Sequence, residues 1–147
     1  MKVIWLLTAL LAGMMAPVQA GFNGKMGRAI GDPVYAALIS FFVGTLGLLG
    51  YCLVLRTDFT AVRQAAGIEW WVWLAGLLGA FYVTSVIILT PRLGATLTFS
   101  LVVAGQLLMA VAMDHYGLLG VPVQTISWLR ILGIALITAG VVLIRKF

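Results

Sequence analysis

The chain has 147 residues, of which 63% are hydrophobic and 9% charged, and its mean hydropathy is +1.16. Soluble domains carry roughly a quarter charged residues, so the composition describes an integral membrane protein and excludes an ordinary soluble enzyme or binding module. The net charge of +5 is spread over nine Lys and Arg at the ends of apolar runs, without a basic aromatic patch, which makes them anchors at anionic lipid head groups and excludes nucleic acid as a partner.

The first apolar run imitates a secretory signal, with Lys2, an apolar core and Val18-Gln19-Ala20 as a cleavage box. The run continues past that box to Lys25 without a charge, so a retained helix over about 3–29 is expected. Gln19 and Asn23, four residues apart, share one face of it. Pro17 takes the usual donor away from the carbonyl of Gly13, and helices bend at such points.

Asp32-Pro33 is a helix start, an N-cap followed by proline at the first helical position. The second span, about 33–55, repeats small residues at Ala36, Ser40 and Gly44 and continues them at Gly47 and Gly50, a stripe that suits close helix packing. Cys52, the single cysteine, lies inside this run and rules out an intrachain disulfide. Residues 56–69 form a polar linker too short for a domain. Trp70, Trp71 and Trp73 then mark the bilayer boundary of a third span, about 70–90. Ala75, Gly76, Gly79 and Ala80 pack it, and Tyr82 brings a hydroxyl that needs a partner at mid-membrane. Pro91 is expected to stop this helix and to open a tight turn ending at Gly94.

The fourth span, about 93–114, is uncharged from Leu93 to Met113 yet contains Thr96, Thr98, Ser100 and Gln106. An amide in hydrocarbon costs free energy unless it faces a partner helix or a watery cavity, which makes Gln106 a site candidate. Asp114 and His115 close the span, a Gly- and Pro-containing connector follows, and the fifth span covers about 127–145. The fold class is therefore an all-α membrane protein of five transmembrane helices, one integral-membrane domain over residues 1–147. It leaves no room for a phosphate-binding loop, a Cys/His metal cluster or a catalytic triad, so neither enzymatic activity nor a metal or other cofactor is expected.

A carrier reading assigns substrate contact to the neutral hydrogen-bonding groups Gln19, Asn23, Tyr82, Ser100 and Gln106, with apolar walls supplying desolvation. The plain alternative for each is a helix-helix hydrogen bond, worth on average about 0.6 kcal/mol in a measured membrane protein. Proton coupling falls to Asp114 and His115, because a carboxylate at a helix C-terminus opposes the macrodipole and histidine titrates near neutral pH. An interfacial pair of Asp114 with Arg130 is the structural alternative. The substrate class is a neutral, zwitterionic or cationic small molecule, since no cation is embedded in a span. The rival function is a non-transporting scaffold or accessory subunit, for which small-residue packing alone would suffice.

Several stretches resemble one family when taken together: Pro17-x-Gln19-x-x-x-Asn23, Asp32-Pro33 with AALISFFVGTLG, WLAGLLGAFYV, PRLGAT, AGQ at 104–106, DHYGLLG at 114–120 and RILGIALITAGVVLI. Their order is similar to the YdcZ-like inner-membrane exporters of the drug/metabolite transporter superfamily, over essentially the whole chain. The last span, with Gly133 and Gly140 on one face, also resembles the dimer-forming helix of small multidrug resistance proteins. The resemblance implies a multi-pass protein of the bacterial cytoplasmic membrane, a half-transporter that pairs with a second copy or a paralogous half. It departs from the small multidrug resistance pattern in having no acid in its first helix.

Five spans put the termini on opposite sides of the bilayer. Lys2, Arg56, Arg63 and Arg130 then face Lys25, Arg28, Arg92, Arg145 and Lys146, four cations against five. The positive-inside rule needs a larger asymmetry, and two opposed copies would rebuild the inverted-repeat plan of many transporters. A fixed orientation, set by the first helix or by a differently charged paralogous partner, is the alternative. Two C-terminal reporters, each active on the opposite side of the membrane, should both give signal if the chain inserts both ways; signal from one alone would reject an antiparallel homodimer.

Overall fold

The computed structural model describes residues 2–146, and all five expected spans are helical: α1 (Lys2–Ile30), α2 (Pro33–Val54), α3 (Ala75–Leu93), α4 (Ala95–Tyr116) and α5 (Trp128–Lys146). No strand occurs among the described residues. Counting the stretch Trp70–Leu93 as one, five helices are long and apolar enough to cross a membrane. Only ten of the described residues are buried by the chain's own atoms. The exposed remainder is largely Leu, Ile, Val, Phe and Trp, a surface that hydrocarbon solvates and water does not. Two compact units divide the chain, one holding α1 to α3 up to Arg92 and the other α4 and α5 from Leu93 onward.

The first unit turns on Gly31-Asp32-Pro33. Gly31, at φ 85°, donates its N–H to the carbonyl of Gly27 at 2.8 Å, closing α1 in the left-handed conformation that suits glycine. Asp32 then caps α2, its Oδ1 accepting from the backbone N–H of Val34 at 2.6 Å and of Tyr35 at 3.4 Å, and Pro33 opens the helix where a backbone donor is not needed. The turn thus reverses the chain with the N–H groups of Gly31, Val34 and Tyr35 all bonded.

Helices meet where side chains are smallest. Ala36, Ala37 and Ile87 form the buried core of this unit, with Met26 and Val83 packed against it. Gly27 sits against the same cluster: a β-carbon built there would lie 3.5 Å from the Cα of Pro33, 3.6 Å from the β-carbon of Ala36 and 3.6 Å from a methyl of Ile87. The buried face of α1 is Ala20, Asn23, Gly24 and Gly27, a spacing of three and four that lets the backbones approach. The stripe on α2 is used at Ala36 only in part as expected, because Gly44, Gly47 and Gly50 have nothing within 4 Å of a would-be β-carbon.

Two local features depart from the sequence reading. Pro91 does not stop α3, which runs on to Leu93; the break falls at Gly94, at φ 82°. A proline in the last turn forfeits only the bond to the carbonyl four residues back, here Ile87, so the helix survives it until glycine reverses the backbone. The third span, expected from about 70, opens with a 3₁₀ segment at Trp70–Leu74 before α3, and the linker carries another at Phe59–Gly67. Asp58 caps the linker segment, its carboxylate accepting from the hydroxyl of Thr60 at 2.7 Å and from its N–H at 2.8 Å, and those bonds hold the carboxyl below the usual carboxylate range.

The Gly27 junction sets a measurable limit on side-chain size. Gly27→Ala should be tolerated, since its β-carbon meets only ordinary van der Waals contacts, whereas Gly27→Leu should destabilise the fold by about 1–3 kcal/mol through overpacking. Thermal unfolding of the two variants in detergent would measure the difference, and equal midpoints would show that the junction does not hold the unit together.

Candidate functional site

Five threonines in these spans satisfy their hydroxyls on their own chain. Thr8, Thr45, Thr90, Thr98 and Thr138 each donate to the carbonyl four residues back on their own helix, at 2.7–2.9 Å. Even Thr98, 1% exposed, is satisfied in this way. A primary amide has two donors and an acceptor on a stiff plane and cannot fold all of them back. Asn23 shows the consequence: it is 3% exposed, and its Nδ2 has no hydrogen-bond partner.

A cavity of about 590 Å³ lies between α1 and α2, with a polar wall of Gln19, Asn23 and Ser40 and an apolar wall that includes Met15, Phe22, Met26 and Val43; the Nδ2 of Asn23 is itself shut away from it. Behind it, Gln19, Asn23 and Tyr82 line a much smaller space of about 10 Å³ shared by α1 and α3. Gln19 also reaches a third cavity of about 240 Å³ on α2, with Ser40, Phe41 and Thr45. No charged side chain lines any of the three. Three of the residues expected from sequence, Gln19, Asn23 and Tyr82, therefore share one locality, and their helical spacing puts Gln19 and Asn23 on one side of α1, Asn23 buried and Gln19 exposed.

The other candidates belong to the second unit. Ser100 lines a mostly apolar cavity of about 420 Å³ between α4 and α5, with Thr96, Val103, Ile137 and Val141. Gln106 is exposed on α4 and lines none of these cavities. Ser40 was assigned by its spacing to the packing stripe, and its place opposite Gln19 makes it a site residue that the stripe concealed. Its hydroxyl was the one available signal.

Asp114 and His115 sit in a clasp that ties the connector to the end of α4. The guanidinium of Arg130 donates to Asp114 Oδ2 at 3.3 Å, to the carbonyl of Gln124 at 3.3 Å and to Gln124 Oε1. The N–H of Gln124 donates to the carbonyl of Asp114 at 2.8 Å, and that of Ile126 to His115 Nδ1 at 3.3 Å. Each group thus has a structural partner within the connector, and the paired side chains of Arg130 and Asp114 stay 32% and 37% exposed. In that geometry Arg130 opposes the negative end of α4 and neutralises the carboxylate that would otherwise worsen it.

The family described as "Putative inner membrane exporter, YdcZ" matches residues 4–143. Among curated proteins, the chain is similar to the inner membrane protein YdcZ of Escherichia coli strain K12, 31% identical over 81 residues. That match spans about half of each chain, 55% of this one and 54% of the relative. No solved structure matches.

The clasp makes a kinetic expectation. His115→Ala should speed amide exchange at Ile126 by about two- to tenfold, the worth of one net hydrogen bond, while Asp114→Asn should speed exchange across the connector by no more than about fivefold, as for a half-exposed ion pair. Hydrogen exchange in nanodiscs reads both. Unchanged exchange at Ile126 would reject the clasp, and loss of pH-driven transport in Asp114→Asn would assign the pair to proton handling instead.

Proposed function

The chain belongs to the YdcZ family, and from that premise we propose that this inner-membrane exporter is a half-transporter carrying a small uncharged or zwitterionic metabolite or drug-like compound through the α1–α2 cavity. One observation carries the proposal: Asn23 keeps an unpaired donor at 3% exposure on the wall of that cavity. Leaving a buried donor unmatched costs about 1–3 kcal/mol, and a solute offering an acceptor recovers it once the Asn23 amide turns toward the cavity. The volume of about 590 Å³ lies within the roughly 300–1,000 Å³ range of small-molecule sites.

In this reading Asn23 donates to a carbonyl or similar acceptor of the solute, Gln19 and Ser40 complete its polar contacts, and Phe22, Met15 and Val43 exclude water around its apolar part. The absence of charge on the wall sets the specificity, because a multiply charged solute would find no counter-ion to offset its lost hydration. Tyr82 and Ser100 contribute secondary hydroxyls, the first behind Asn23 and the second between α4 and α5.

Alternating access requires a second wall, which a second copy or a paralogous half supplies. Gly44, Gly47 and Gly50 on α2 and Gly133 and Gly140 on α5 carry no contact within 4 Å of a would-be β-carbon, and Gln106 is exposed on α4. Small-residue faces without contacts support helix association in lipid, and a partner covering Gln106 would give its amide the company that hydrocarbon denies it. Pro17 lies two residues before Gln19, where the unpaired carbonyl of Gly13 makes bending of α1 cheap.

Asn23→Leu separates transport from packing. It removes the unpaired amide, so the variant should unfold no earlier than the parent in detergent. Export of the metabolite identified by comparing overexpressing and deletion strains should fall at least about tenfold, the equivalent of one buried polar contact. Unchanged export together with lost stability would support the scaffold role.

A further inference from the structure

Arg28 and Arg92 are separated by 64 positions in sequence but line one cleft of about 300 Å³, where the ends of α1 and α3 meet the start of α2. Its floor is Gly24, Gly27 and Gly31, with Pro33 beside them. Neither guanidinium makes a hydrogen bond or an ion pair with the described residues, in contrast to Arg130, which is engaged three times. The one acid next to the cleft in sequence, Asp32, spends its carboxylate on the backbone N–H groups of Val34 and Tyr35.

Each arginine stands in the last turn of its helix, so each complements a helix C-terminus. That role accounts for one positive charge at each end. It does not account for two guanidiniums, from different helices, opening on the same glycine-floored space. Nothing lies within 4 Å of a would-be β-carbon at Gly31, and at Gly24 only the Arg28 guanidinium does, at 3.7 Å, so an anion can approach the backbone there, and Arg offers the forked donor geometry that phosphate oxygens match. The cleft also lies at the ends of membrane-spanning helices, which is the depth of lipid phosphates. Basic pockets between transmembrane helices are a recurrent means of holding anionic head groups.

We propose that the Arg28–Arg92 cleft seats the phosphate of an anionic phospholipid, tying the ends of α1 and α3 to one lipid molecule. The lipid serves as the counter-ion that the chain itself lacks at this point. The site is distinct from the cavity at Asn23 and does not depend on the transport reading.

The test uses the full chain in detergent, with the dependence of its thermal midpoint on added phosphatidylglycerol, phosphatidylethanolamine or inorganic phosphate. Phosphatidylglycerol should protect, and the other two should not at equal concentration. Arg28→Gln and Arg92→Gln should each weaken the apparent affinity for phosphatidylglycerol about tenfold, as expected for loss of a charged hydrogen-bond donor. Arg145→Gln, at the end of α5, should leave it within about twofold. Should a glutamine variant fail to fold, Arg28→Lys and Arg92→Lys keep the charge without the fork and should lose part of the affinity. Equal protection by phosphatidylethanolamine, or parental affinity in both arginine variants, would overturn the proposal. Protection by inorganic phosphate alone would overturn the lipid as the ligand and leave a free-anion site.

Discussion

A polar group inside a bilayer has to be satisfied by the chain that carries it, and the structure is organised by how each group meets that demand. Backbone groups are closed by helices, the turn at Gly31-Asp32-Pro33 closes donors at the start of α2, and Thr8, Thr45, Thr90, Thr98 and Thr138 return their protons to the turn below. These solutions are local and need no tertiary partner. Among the described residues, Asn23 carries the buried side-chain donor that finds no partner. Its amide is buried by Gly24, Gly27 and Ala20 on the same face of α1 packing close to neighbouring helices, so the small residues that bring the helices together are also what shuts Asn23 away from lipid. Packing and polarity are therefore coupled at one place, and a larger side chain at Gly27 would change the cavity as well as the contact.

The spans and their boundaries were legible because they rest on covalent and solvation rules that act locally. Run length fixed the helices, Asp32-Pro33 marked a start to the residue, and the tryptophans at 70, 71 and 73 marked a boundary. Helix partners were harder to read. When the solvent is as apolar as a core, hydrophobic periodicity no longer distinguishes the inner face, and only small residues remain as a guide. That guide found Ala36 correctly and extended the same expectation to Gly44, Gly47 and Gly50, where this chain supplies no contact. The break at Gly94 instead of Pro91 has a similar cause: what proline removes is a single bond, and whether a helix ends there depends on the next residue free to take a positive φ.

The site was half legible for a related reason. Residue type picked out Gln19 and Asn23, and a four-residue spacing placed them together, but type says nothing about which amide goes unsatisfied. Gln106 and Asn23 look alike in sequence as amides in apolar runs, yet one is exposed on α4 and the other is 3% exposed with an orphaned donor. Ser40 shows the reverse problem, a side chain small enough to pass as packing and polar enough to serve the cavity. Arg28 and Arg92 were not related to each other by the sequence, since nothing local links positions 28 and 92 until α2 and the 3₁₀ segments bring α3 back beside α1.

The charges also answer two different questions at two different times. Insertion counts every Lys and Arg near a span before tertiary structure exists, and on that count the two sides stand at four and five. Lipid contact acts on the folded chain and registers only the charges that folding leaves unpaired. Arg130 is removed from that second count by Asp114 and Gln124, whereas Arg28 and Arg92 remain in it. The set of cations that folding leaves open to lipid is therefore not the set that insertion counts. If both orientations are inserted, each copy presents its arginine cleft to a different leaflet, so an opposed pair would draw anionic lipid to both faces of the membrane, and the lipid composition of the two leaflets would weigh on which orientation persists.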